Sequence, residues 1–169
     1  MIKQAITRIV NRLMPKKIIL KDVFKDWTIT QLFGKTDYAK AHPAYYTKQI
    51  HKGIDYIDKN KKWVIYAPHN AIVVKVGHEG NKGKGQYISL WDRQQEIATH
   101  YYHLDDVFVK RNQMIESGCK IGIAGNTGFS KGKHLHFALY KTADGYIINI
   151  DSDSKGAINP YNKDLVRWK

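Results

Sequence analysis

One cysteine, Cys119, stands in a chain of 169 residues, so no intramolecular disulfide can form and a thiolate-built structural zinc site is excluded. Any metal must be held by His, Asp or Glu. Cys119 itself reads as a small apolar residue in a strand rather than as a nucleophile. No apolar run approaches the roughly 20 residues that cross a membrane, and no apolar stretch with a small-residue cleavage site marks a secretory signal. Repeats and low-complexity segments are missing too. Acidic residues are scarce: 15 Asp and Glu against 28 Lys and Arg leave a formal net charge of +13. Such a field attracts polyanions and weakens with salt. Charge alone does not choose between nucleic acid, phospholipid headgroups and anionic wall polymers. The basic residues are spread through loops and both termini without a nucleic-acid motif, which argues against the first.

What is present suffices for one domain with a core: 43% of residues are hydrophobic and 12% aromatic. At the start, Ile2, Ile6, Ile9, Val10 and Leu13 recur at helical spacing with Lys3, Arg8 and Arg12 between them, predicting a short basic amphipathic helix that Pro15 ends. From Trp27 onward short strand-like runs follow one another: WTITQLF, WVIYA, AIVVKVG, QYISLW, EIATHYYHL, KIGIAG, HLHFALY and GYIIN. Turn-rich pieces such as GHEGNKGKG and GNTGFSKGK separate them, a spacing that predicts an all-β, mainly antiparallel domain. The expected organisation is a basic N-terminal segment (1–26), a β domain (27–158) and a C-terminal tail (159–169). The loop-like stretch from about Lys35 to Gln49 is the expected substrate-facing flap.

The chemistry concentrates in the histidines. In an extended HLHFALY strand, His134 and His136 point to one face while Leu135 enters the core. Paired imidazoles resist joint protonation and suit a dication. In HKGID, His51 and Asp55 supply two further zinc donors around a glycine. With His136 they make three protein ligands, the number a catalytic zinc uses while leaving a fourth position for water. His103, in THYYHL, is placed to join His134 beside the metal. An amide hydrolysis needs a base for water and a donor for the oxyanion or leaving amine, and these two histidines fill both roles in an order left open. His42, His69 and His78 lie in polar or turn-like contexts, and His100 alternates away from Tyr101 and His103, so none of the four is expected in the site.

From about Ile29 to Tyr140 the chain resembles the lysostaphin-type (LytM-like) zinc metalloendopeptidases of peptidoglycan. The resemblance runs through ITQLFG, HPAYYTKQIHKGID, VIYAPHNAIVVKVG, the Tyr-x-His-Leu element YYHL, and GIAGNTGFSKGKHLHFALY, in that order. It implies one Zn2+ ion on His51, Asp55 and His136, with His103 and His134 as the catalytic pair. It also implies a β-sheet groove floored by the metal and a transition-state tyrosine on the preceding loop, Tyr45 or Tyr46; Tyr101 joins these as an expected substrate contact. Lys133 stands where a proline often precedes H-x-H. The resulting expectation is a zinc endopeptidase acting at the bacterial wall on stem-peptide or cross-bridge bonds, with anionic wall polymers as further partners. The missing secretion signal suggests delivery by lysis or by a phage particle. A non-catalytic wall-binding or virion module that keeps the zinc site is the alternative.

Overall fold

A computed structural model describes residues 17–169 except 82, 144–145 and 148–154. The basic helix expected over the first residues therefore lies outside the described residues. The strands are β1 (Ile18–Leu20), β2 (Trp27–Gln31), β3 (Ile54–Asp58), β4 (Val64–Tyr66), β5 (Ala71–His78), β6 (Gln86–Asp92) and β7 (Ile97–Val107). They continue as β8 (Met114–Ile115), β9 (Lys120–Ala124), β10 (Leu135–Ala143), β11 (Tyr146–Ile147), β12 (Ala157–Ile158) and β13 (Val166–Trp168). Among the described residues, helix is limited to α1 (Asp37–Ala41), capped by the Thr36 side chain, and a 3-10 turn over Thr47–Gln49. Among the described residues no helix is long and apolar enough to cross a membrane.

An 11-stranded antiparallel sheet orders its main path β2-β3-β10-β7-β6-β5-β8, with β11 and β12 added on β10, and with β9 pairing both β7 and β4. Period-two alternation gives each central strand two unlike faces. One row across the sheet reads Ile54, Phe137, Tyr101, Ile88, and all four are fully buried. The next row, on the opposite face, reads Gln31, Asp55, His136, Tyr102. Burying a large apolar side chain stabilises by roughly 1.5–3 kcal/mol, so the first row holds the sheet together and leaves the second free for chemistry.

The packed unit runs past both boundaries drawn from the sequence. β1 pairs in parallel with β13, and Phe24 and Trp168 both pack their rings on Phe137. Three-residue strands carry too little alternation to register as strands, which is why 18–26 and 159–169 read as flanks. Cys119 is exposed just before β9 rather than inside a strand.

Candidate active site

Asp55 and His136 are direct cross-strand partners, so the ladder itself brings their side chains together. His51 arrives from the segment before β3, where its backbone and that of Gly34 exchange hydrogen bonds of 2.8 and 2.9 Å. Its Nδ1 lies 2.8 Å from the Leu32 carbonyl. A carbonyl only accepts, so Nδ1 carries the proton and Nε2 offers its lone pair to the site. His51 Nε2, Asp55 Oδ1 and His136 Nδ1 then converge, with separations of 3.1, 3.0 and 2.8 Å. A Cβ on Gly53 would stand 2.6 Å from His136 Nε2 and 2.5 Å from the Phe137 carbonyl. Only glycine lets the loop pass this close to β10.

Two nitrogens and one carboxylate oxygen meeting at a point fit zinc's donor preferences, and the protonation states fit as well. Burial alone pushes the Asp55 carboxyl up, but the adjoining His136 and His51 outweigh it and hold the group well below the usual carboxylate range. Burial pushes His136 down, against the opposing pull of Asp55. A carboxylate beside a neutral imidazole is the state a metal requires.

His103 and His134 face each other beside this triad, their ring centroids 4.8 Å apart. His103 Nδ1 is 2.9 Å from the Thr127 carbonyl, and His134 Nδ1 is 2.8 Å from that of Gly132. Both rings therefore donate from Nδ1 and turn Nε2 inward; His134 Nε2 lies 3.9 Å from Asp55 Oδ1. Burial, reinforced by His134 and His136, pushes His103 down to about 4, so it is neutral near pH 7 and able to take up a proton.

His103 reaches the groove through a bulge. Leu104 pairs with Gln86 and Tyr101 with Ile88, so Tyr102 and His103 together oppose the single residue Tyr87. His103 takes φ +66°, and two adjacent side chains consequently share one face. Alternation along β7 misreads this strand. Tyr101 is not a substrate contact: it is fully buried in the core, with its hydroxyl 3.0 Å from Thr99 Oγ1. Its neighbour Tyr102 lines the groove, stacked on His136 at 5.1 Å and 7°. His100, also set aside by alternation, lies behind them, with Nδ1 2.8 Å from the Tyr102 hydroxyl and its ring against Tyr140. No sequence signal marks this arrangement, because a histidine inside a strand-like run gives no sign of the left-handed conformation that it takes here.

The groove encloses about 850 Å³. Its walls are the 35–49 segment and the loop from Gly125 to His134. Tyr46 stands beside the triad, its ring edge-on to His51 at 5.8 Å and its hydroxyl 3.3 Å from Gln31 Oε1; burial raises its pKa. Tyr45 instead sits at the rim, 55% exposed, with its ring 4.2 Å from that of Phe129 on the opposite wall.

A model of peptidase family M23 matches residues 49–152. An uncharacterized metalloprotease of Haemophilus influenzae is 36% identical over 101 residues, 60% of this chain and 21% of that protein. Peptidoglycan DD-endopeptidase ShyA of Vibrio cholerae is 30% identical over 115 residues, 67% of this chain and 25% of that protein. The chain thus spans a quarter or less of the length of these relatives. In fold it is similar to the catalytic domain of lysostaphin from Staphylococcus simulans, with a TM-score of 0.64 at 23% identity, covering 81% of this chain and 91% of that one.

Proposed function

The chain belongs to peptidase family M23, and from that premise we propose that it is a zinc-dependent endopeptidase hydrolysing peptide bonds of bacterial peptidoglycan, in the stem peptide or the cross-bridge. One observation carries the reading: His51 Nε2, Asp55 Oδ1 and His136 Nδ1 converge on one point of a groove into which His103 and His134 turn their Nε2 atoms. His51, Asp55 and His136 hold the metal. Zinc bound there supplies Lewis acidity toward a peptide carbonyl.

The chain's own residues do the rest. One of His103 and His134 accepts the proton of the attacking water at Nε2, and the other, protonated at Nε2, donates to the oxyanion or the departing amine. Their Nδ1–H bonds to Thr127 and Gly132 fix the tautomer, so neither ring must reorient between steps. Tyr46, held by Gln31 next to His51, is placed to donate its hydroxyl to the developing oxyanion. The excess of cations over the whole chain favours association with anionic wall polymers, weakened by salt.

Release of new amino termini from purified peptidoglycan tests this reading. Release should vanish with chelator and return with zinc. Stoichiometric zinc with no release from walls of several chemotypes would favour the other reading, a non-catalytic wall-binding module. Replacing His103 discriminates further: an enzyme loses cleavage at unchanged zinc content, whereas a binder keeps its wall affinity.

A further inference from the structure

The groove lining is cationic beyond what the metal chemistry uses. Four lysines line it, Lys52, Lys84, Lys131 and Lys133, against the two carboxylates of Glu79 and Asp55. Asp55 belongs to the metal. Glu79 is engaged by Lys84, with Nζ to Oε1 3.3 Å. Lys133 is taken up by Asp105 at 2.7 Å. Lys131 differs: among the described residues it has no carboxylate partner, and its ammonium sits 5.8 Å above the ring of Tyr38 on the facing wall. A cation held only by a half-exposed aromatic face exchanges that contact for a carboxylate readily, because a charge-assisted hydrogen bond is the stronger of the two.

Its place in the loop sets it on the wall that carries His134. Ser130 Oγ contacts Asn126 Oδ1 at 2.7 Å, the Gly132 carbonyl at 2.9 Å and His134 Nδ1 at 3.1 Å. The Gly132 carbonyl is also what orients His134. Lys131 thus stands between the two residues that hold His134 in position. Lys131 and His134 line the same groove, so an anion that Lys131 binds belongs to the same bound peptide whose bond His134 faces.

We propose that the groove carries a carboxylate subsite in which Lys131 is a specificity-determining residue. It selects peptidoglycan peptides with a free carboxylate on a residue held between the groove walls over amidated or all-glycine ones. Only the cleavage aspect rests on the hydrolase reading; the binding preference stands independently of it.

The test uses two synthetic peptidoglycan peptides identical except that one side-chain carboxylate is a carboxamide in the second. Binding to the zinc-loaded protein is read by calorimetry and cleavage by chromatography. The carboxylate peptide should bind about tenfold more tightly, as expected for one charge-assisted contact in a partly solvated groove. Lys131→Gln should erase the preference while leaving the carboxamide peptide's affinity within about twofold, and Lys131→Arg should keep it. Equal binding of the two peptides, or a preference that survives in Lys131→Gln, overturns the subsite. An intact preference with neither peptide cut would sink the hydrolase reading and leave the subsite standing.

Discussion

The floor of the groove and its walls are built by different rules. The floor is ladder: Asp55 and His136 are fixed by backbone pairing, His51 by exchanged backbone hydrogen bonds, and the Phe137 beneath them is fully buried. The walls are loops whose contacts across the groove are side chain on side chain, Tyr45 against Phe129 and Lys131 over Tyr38. Where backbone sets geometry, substitution should abolish a function; where side chains lean on each other, it should tune one.

The largest effect is expected on the floor. His51→Ala, Asp55→Asn or His136→Ala should reduce bound zinc from about one equivalent to near none, measured by metal analysis, and lower cleavage by roughly 10³-fold or more. His103→Ala and His134→Ala should separate binding from turnover. Zinc content stays at the native level while kcat falls by about 10²- to 10⁴-fold, the usual range for removing a general acid or base.

A third effect tests His100, beside the floor on the same sheet face as Tyr102. Burial pushes His100 down to about 3 in the folded protein, against about 6.5 in an unfolded chain. Above pH 6.5 or so both states are neutral and His100 contributes no pH dependence. As pH falls from there towards 3, the unfolded chain binds a proton that the folded one refuses, so stability is lost on acidification. The chelated protein should therefore show a falling thermal midpoint across that window, and His100→Gln should flatten the slope.

The smallest effect belongs to the walls. Aromatic pairs contribute about 0.5–1.5 kcal/mol beyond area burial, so Phe129→Ala should raise KM by roughly three- to tenfold with kcat nearly unchanged. A change of kcat equal to that of His134→Ala would erase the distinction between floor and wall.

Much of the floor is legible in the chain. The HLHFALY run predicts β10 and sends Leu135 to the core with His134 and His136 opposite, as found. The strand-like runs from WTITQLF to HLHFALY each contain a strand because their alternation is strong enough to be read without tertiary context. The walls are less legible. Tyr45 and Tyr46 are adjacent and chemically alike, and only the turn over Thr47–Gln49 sends one to the triad and the other to the rim. Tyr101 and Tyr102 exchange expected places for a different reason: a bulge shifts parity, and parity was the rule by which β7 is read.

That bulge also sets chemistry against backbone. A histidine at φ +66° holds a conformation that costs an L side chain roughly 1–2 kcal/mol and that glycine adopts freely. On the proposed catalytic role of His103, the position trades durability for turnover. A chain freed from the need to cut anything would be expected to drift towards glycine or asparagine at 103, becoming harder to melt as it fell silent.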